Sequence, residues 1–355
     1  MRTLYFIRHG QCRNSDHRWI GRTDLPLDEV GLYQAGRLRQ WAADRSLTAV
    51  YSSPLSRCWE TARILSGDKL PVRQADGLRE MDGGAWEGLH YDQIRTQWPE
   101  LYAARGAHLG TVAPPGGESF SQAGVRLGRC IQEILIHTQG DIVIVGHGGA
   151  GRGWLAGLLG LEPDRVLSVR QPWGGVSTLT WTGGRFAVIS VGLQPDPVPP
   201  PLLLEALLHR HGTAPEIRAH GQAVARAALE LASQLPPGQT DRPLLEAACL
   251  LHDIARGAPD HARQGAQLLE EAGYPAVASL IAAHHDLPPS AGTEARLLYL
   301  ADKLVQGNRP VSLEARFAAS LKKCRTQDAR QAWERRYRDA RKILEEYHLK
   351  WGQPS

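Results

Sequence analysis

At 355 residues and 39.0 kDa the chain is long for one hydrophobic core, so two domains are expected. Its 42% apolar and 22% charged residues are ordinary for a soluble globular protein, and its net charge of +4 divides evenly. Residues 1–197 carry 21 Lys+Arg against 19 Asp+Glu and the remainder 20 against 18, which argues against a dedicated nucleic-acid surface in either half.

Five scattered cysteines, odd in number and lacking any Cys-x-x-Cys pair, argue against a disulfide scaffold and a zinc ribbon. The chain opens directly on a strand and has no apolar stretch reaching about 18 residues. A reduced, cytoplasmic, non-membrane protein is therefore expected.

The opening run Arg2-Thr3-Leu4-Tyr5-Phe6-Ile7 is strand-forming and ends abruptly in Arg8-His9-Gly10. A cation, an imidazole and a glycine follow a strand at the place where an open α/β sheet presents its chemistry, which puts a nucleophile at His9. A polar loop then leads to helix-like spacing over 31–41. A short strand at 48–51 closes with Ser52-Ser53-Pro54, and a helix over 54–64 carries Arg57 near its start, a plausible anion site. Residues 77–88 are too glycine-rich for a helix, so Glu80, Asp82 and Glu87 lie on a loop. The stretch from Tyr91 to about Gly117 is the least regular and reads as a substrate-covering insertion.

An amphipathic helix is expected over 119–137. The buried-strand run Ile142-Val143-Ile144-Val145-Gly146 then ends in His147-Gly148-Gly149 ahead of a helix reaching about Leu161. Two strands thus deliver two histidines to one sheet edge. Edge strands at 176–180 and 185–191 close the first domain. Four prolines among the last six residues of Gln194-Pro195-Asp196-Pro197-Val198-Pro199-Pro200-Pro201 make a semi-rigid linker. The domains are therefore read as 1–193, a linker at 194–201, and 202–355. The last is Ala/Leu-rich and all-α, with helices expected at 202–209, 220–234, 244–256, 261–272, 276–284, 293–306 and 327–348. The charged final helix reads as a solvated packing helix.

Residues 1 to about 192 resemble the histidine phosphatase superfamily, the phosphoglycerate mutase-like fold. The resemblance rests on Arg8-His9-Gly10 with Asn14, Tyr51-Ser52-Ser53-Pro54-Leu55-Ser56-Arg57, Leu78-Arg79-Glu80 with Trp86-Glu87-Gly88, Gly116-Gly117-Glu118-Ser119, and Gly146-His147-Gly148-Gly149. It implies an open, mostly parallel sheet with helices on both faces. It also implies phosphoryl transfer through His9, with Glu80 as acid and base and His147 donating to a phosphate oxygen. Phosphoryl transfer spreads charge over three oxygens, so planar cations such as Arg8 and Arg57 suit it, and their charge keeps His9 neutral. Asn14, Gln11 and Arg152 are candidate phosphate or substrate contacts. Cys12 departs from the family's usual threonine. The block around Glu80 resembles the small phosphatases, including the α-ribazole phosphate type, more than the true mutases. The resemblance implies that this domain requires no metal.

The helical half resembles the HD-domain metal-dependent phosphohydrolases over about 205–320. The matching residues are His220, the block Leu250-Leu251-His252-Asp253-Ile254-Ala255, His261, His284-His285 and Tyr299-Leu300-Ala301-Asp302-Lys303, closest to the branch that cleaves diadenosine tetraphosphate. Four imidazoles and two carboxylates suit one or two ions of Fe, Mn, Co or Zn. The resemblance implies that His220, His252, Asp253 and Asp302 hold one ion. His261 with His284 or the adjacent His285 would complete a second, bridged by Asp253. Lys303 is a candidate phosphate contact. The expected function is a bifunctional phosphohydrolase acting on small phosphorylated molecules, nucleotides or cofactor intermediates, with neither nucleic acid nor membrane as partner. Two alternatives stand beside it: a phosphatase regulated by a ligand-sensing HD domain, and a phosphomutase.

Overall fold

A computed structural model describes residues 1–13, 18–67, 69–322 and 324–351. Its contacts divide the chain into two units with a boundary between Asp196 and Pro197. The first unit runs β1 (Arg2–Arg8), α1 (Glu29–Ala43), β2 (Leu47–Ser52), α2 (Ser56–Ser66), β3 (Val72–Gln74), α3 (Tyr91–Gln97), α4 (Pro99–Ala107), α5 (Phe120–His137), β4 (Asp141–Gly146), α6 (Gly148–Leu158), β5 (Val176–Thr182) and β6 (Arg185–Leu193). The strands form one sheet in the order β3-β2-β4-β1-β5-β6. The pairs β2–β3, β2–β4 and β1–β4 are parallel, and β5 and β6 add an antiparallel edge.

The strand sequences explain the two layers of helix. Along β1, Leu4 and Phe6 pack with Ile142 and Ile144 of β4 in a core that includes Leu127 and Ile131 of α5 and Leu155 of α6. Ile7, on the opposite face of the strand, joins Val143 and Val145 in a second core with Leu38 of α1 and Ala62 and Leu65 of α2. Strand periodicity of two therefore feeds both faces, as a sheet covered on both sides requires. Each of these fully buried β4 side chains contributes ~1.5–3 kcal/mol relative to exposure. The open, mostly parallel sheet with helices on both faces is thus present as expected.

The insertion over 91–117 is more regular than its sequence suggests. The His90 side chain and Gln93 form a reciprocal cap on α3, and Pro99 opens α4. Histidine is an uncommon cap, so local pattern alone gives little sign of it.

The second unit is helical: α7 (Pro201–Arg210), α8 (Pro215–Ala232), α9 (Arg242–Leu251), α10 (His261–Glu271), α11 (Pro275–Ala282), α12 (Thr293–Lys303), α13 (Leu313–Leu321) and α14 (Gln327–Glu346). Helix α8 starts at Pro215, five residues before the expected 220, and the elements after it differ from expectation as well. Helix α9 stops at Leu251, so His252 and Asp253 sit in the turns beyond it rather than inside a helix. Helix α12 stops at Lys303 because β7 (Val305–Gln306) pairs with β8 (Arg309–Pro310). Helix α13, not expected at all, starts where the Ser312 hydroxyl accepts the Ala315 N–H. The charged helix α14 buries Ala340 and Ile343 as a packing helix does.

Candidate active sites

The register of β1 against β4 pairs Arg8 with Gly146, so His9 and His147 leave neighbouring strands side by side. Their rings lie 5.2 Å apart and both are buried. His9 Nδ1 is 2.6 Å from the Gly10 carbonyl oxygen. Because that oxygen only accepts, Nδ1 carries the proton and Nε2 keeps its lone pair. Burial, and then the charges of Arg57 and Arg8, hold the His9 pKa well below 6.5. Burial, rather than the arginines, is thus the larger cause of its neutrality. His147 is held down the same way, first by burial and then by Arg57. Its Nε2 lies 2.8 Å from Ser53 Oγ. Beneath it sits Cys58, whose thiol burial keeps protonated.

The cations are aimed by backbone carbonyls. Arg57, 2% exposed, donates to Thr23 O and Gly21 O at 2.7 Å each. Arg8 donates to Gln171 O at 2.6 Å and lies 4.9 Å from the Trp173 ring centroid. Glu80 is also buried, and its carboxylate accepts from Met81 N, Gly149 N and Ala150 N at 2.9, 2.8 and 2.6 Å. It therefore caps α6, whose own N-cap, His147, makes no side-chain cap. A Cβ at position 149 would stand 2.7 Å from Glu80 Oε1, so this approach needs the glycine.

Around these lies a supporting shell that sequence reasoning largely missed. Arg126 donates to the carbonyls of Gly77, Arg79 and Glu80 and is paired with Glu118, which fixes the Glu80 loop. Glu87 accepts from the N–H groups of Gly21, Arg22, Thr23 and Gly83 and from the Thr23 hydroxyl, and so clasps the loop whose carbonyls aim Arg57. Burial pushes the Glu87 carboxyl up, but these bonds outweigh it and hold its pKa below 4.5. The clasp is therefore complete above about pH 4.5 and is lost as pH falls through the lowered value. Glu87→Gln is expected to reduce kcat/KM for monoesters by roughly 10-fold, since hydrogen bonds to a charged group are worth ~1.5–3 kcal/mol. Steady-state kinetics on a folded variant tests this, and an unchanged kcat/KM would show that Arg57 is held independently.

The other phosphate candidates are placed differently. Asn14 lies outside the described residues. The Gln11 side chain donates to Asp28 Oδ2 at 3.0 Å, and Asp28 in turn caps α1. Arg152 Nε donates to Val169 O at 3.0 Å, and burial lowers its pKa. Burial raises the Cys12 pKa, and the residue forms an isolated bridge to Leu27.

In the helical unit the sequence-scattered ligand candidates converge. His220 from α8, His252 and Asp302 form one group; His252, Asp253 and His284 a second; His261, His284 and His285 a third. Asp302 Oδ1 is 3.2 Å from His220 Nε2 and 3.6 Å from His252 Nε2. Asp253 Oδ1 is 3.0 Å from His261 Nε2 and 3.9 Å from His284 Nε2, and Arg256 pairs with Oδ2 of the same carboxylate. His285 Nε2 is 2.8 Å from His261 Nε2, so both adjacent histidines enter the cluster.

Three of these rings have the same tautomer imposed on them. Nδ1 of His220, His252 and His284 donates to the carbonyls of Gly307, Cys249 and Ile281 at 2.6–2.7 Å, which turns each Nε2 lone pair inward. His252 Nε2, His284 Nε2 and Asp253 Oδ1 are buried without a well-formed hydrogen bond. Convergent buried acceptors of this kind fit a borderline divalent cation. Burial raises the Asp302 carboxyl, but the adjacent Lys303 ammonium leads the effects that outweigh it and hold the pKa well below 3.8. Burial, followed by the Lys303 and His261 charges, brings His285 down to about 4. Lys303 itself is buried and donates to His284 O and Asp302 Oδ2.

Residues 4–194 match the histidine phosphatase superfamily (branch 1), and residues 218–306 match the HD domain. The bifunctional protein Rv2228c of Mycobacterium tuberculosis is 38% identical over 148 residues, which are 40% of this chain and 40% of that protein. The chain thus covers about two fifths of the length of that relative. Phosphoglycerate mutase-like protein 4 of Arabidopsis thaliana is 34% identical over 51% of this chain and 88% of its own. Among solved structures, YhfR of Bacillus stearothermophilus (31% identity, TM-score 0.51) and the α-ribazole phosphatase of Shigella flexneri (29%, 0.50) each cover 54% of this chain and 96% of their own. No helix among the described residues is long and apolar enough to cross a membrane.

Proposed function

This chain belongs to the histidine phosphatase superfamily and carries an HD domain, and on that basis we propose that it is a bifunctional phosphohydrolase. One activity is hydrolysis of small phosphomonoesters through a phosphohistidine at His9. The other is metal-dependent hydrolysis of a nucleotide or dinucleoside polyphosphate at the helical cluster. The observation that carries the first is the buried, neutral His9 ring whose Nδ1 is tied to Gly10 O, leaving Nε2 as the nucleophile beside two aimed arginines.

In this mechanism His9 Nε2 attacks phosphorus as the ester P–O bond breaks. Arg8 and Arg57 neutralise charge on the equatorial oxygens, and His147 donates to one of them. Glu80 protonates the leaving oxygen and then takes a proton from the water that cleaves the P–N bond. The sum is ester plus water giving alcohol plus phosphate, with His9 and Glu80 restored. The structural neighbour named as an α-ribazole phosphatase supports a monoester substrate class for this half.

In the helical half His220, His252, Asp253 and Asp302 would hold one divalent ion, and His261 with His284 and His285 a second. Such ions supply charge neutralisation at the scissile phosphate and a more acidic water. The chain's own contribution is to fix the imidazole tautomers and to keep Asp253 and Asp302 ionised.

Phosphate release from phosphomonoesters, dinucleoside polyphosphates and cyclic nucleotides, with and without chelator, is expected to separate one chelator-resistant and one chelator-sensitive activity. Only a resistant activity, in protein that contains metal, would overturn the hydrolytic reading of the helical half and favour a ligand-sensing one.

A further inference from the structure

The match to the HD domain ends at residue 306, yet the chain continues into α13 and α14, which pack against α12 and against each other. Between them lies a cavity of about 320 Å³. One side is formed by His285, Asp302 and Lys303, the edge of the metal-ligand cluster. The other comes from outside the matched stretch, with Arg316 and Phe317 on α13 and Trp333 and Arg336 on α14. Pockets for small molecules run ~300–1,000 Å³, so this one has room for a single nucleoside-sized group and not for two.

Its lining combines a fixed aromatic wall with cations. Phe317 is buried and meets Trp333 edge-on at 5.6 Å between centroids. Tyr337 stacks on Trp333 at 17° between planes. The Trp333 indole N–H donates to Phe317 O and Ser320 Oγ at 3.0 and 3.1 Å, so the ring is held in place. Arg336 is occupied by Asp286 through two bonds and serves as wall. Arg316 is different: its Nε is buried with no acceptor among the described residues. A buried donor of this kind is costly unless a ligand supplies the acceptor. Lys303 stands on the opposite side with its ammonium already beside Asp302. A rigid aromatic surface next to a guanidinium whose Nε has no acceptor among the described residues suits a flat ring joined to an anion; a phosphorylated sugar alone would meet the cation and leave the aromatic wall unused.

We infer that this cavity is a nucleoside subsite: the base lies against Trp333 and Phe317, and a phosphate reaches Arg316 and Lys303 beside the metal cluster. The inference rests on the proposed nucleotide hydrolysis in this half and assigns its specificity to the α13–α14 extension.

The test is calorimetric binding to the full chain carrying His9→Ala, with adenosine 5′-monophosphate and ribose 5-phosphate as probes. The nucleotide is expected to bind at least ~10-fold more tightly than the sugar phosphate, the size of one base-stacking contribution. Trp333→Leu is expected to abolish that preference and Trp333→Phe to retain it. Arg316→Gln is expected to weaken both probes by roughly 10-fold, as loss of a charge-assisted bond does. In turnover of a nucleotide with added Mn²⁺, Arg316→Gln is expected to raise KM and leave kcat within about 2-fold, as loss of uniform binding requires. If Trp333→Leu does not fold, Arg316→Gln and Trp333→Phe carry the test. Isotherms unchanged by Arg316→Gln would place the nucleotide elsewhere and overturn the assignment even if metal-dependent hydrolysis is found. The predicted binding pattern without hydrolysis under any divalent ion would support the subsite and remove the hydrolytic reading instead.

Discussion

Replacing His9 with alanine is expected to abolish chelator-resistant monoesterase activity, a loss on the order of 10⁴-fold or more for removal of a covalent nucleophile. The neighbouring imidazole does not substitute, because His147 Nε2 is engaged by Ser53 Oγ and Cys58 packs beneath it. Native enzyme quenched in alkaline denaturant, where a P–N bond survives, is expected to carry phosphate on His9, and the variant none. Full retained monoesterase activity in His9→Ala would remove the nucleophile assignment.

The same burial makes a statement about pH. His9 and His147 are both held well below 6.5 by burial and by the neighbouring arginines, so each takes up its proton at a lower pH in the folded protein than in the unfolded chain. Stability contributed by these two sites therefore falls as pH drops below about 6.5. Denaturation midpoints at pH 7.5 and 5.5 are expected to decrease in that order, with a smaller decrease in His9→Ala.

Changing His252 and Asp253 together to alanine is expected to strip metal from the purified protein while sparing monoesterase activity. Altering outer partners of metal ligands alone costs ~10–100-fold in affinity, and removing two direct ligands costs more. Elemental analysis is expected to show at least that loss. A second readout is thermal: an ion bound at 100 times its Kd adds ~2.7 kcal/mol, so added Mn²⁺ or Fe²⁺ raises the melting temperature of native protein and not of the variant. Metal content equal to native would overturn the ligand assignment. Loss of monoesterase activity as well would show that the first unit depends on the second.

Much of this was legible along the chain because the relevant residues are close in sequence to the elements that present them. A strand pattern ending in Arg8-His9-Gly10 and another ending in Gly146-His147-Gly148 announce two parallel strands with chemistry at their ends, since alternating burial and glycine-marked termini are local properties. Glu87 was visible only as one of three carboxylates on the Glu80 loop and as part of the Trp86-Glu87-Gly88 block, with no role attached. Its function as a clasp depends on Gly21, Arg22 and Thr23, more than 60 residues away in sequence, and no local pattern encodes that pairing. Gln171 contributes only a backbone carbonyl to Arg8, which any residue could supply, so it leaves no trace in the sequence.

The helical half divides the same way. Imidazoles and carboxylates spread from His220 to Asp302 are a donor set that suits a divalent metal of borderline softness, a property readable from residue type. Tertiary structure decided the rest. The turn after α9 frees His252 and Asp253 from a helix, and the carbonyls of Gly307, Cys249 and Ile281 choose the tautomers. The position of α13 and α14 builds a cavity against His285 and Asp302. Periodicity and residue type report which groups a chain possesses and which face of an element carries them. Which lone pair points where is set by long-range backbone contacts, and these exist only once the chain has folded.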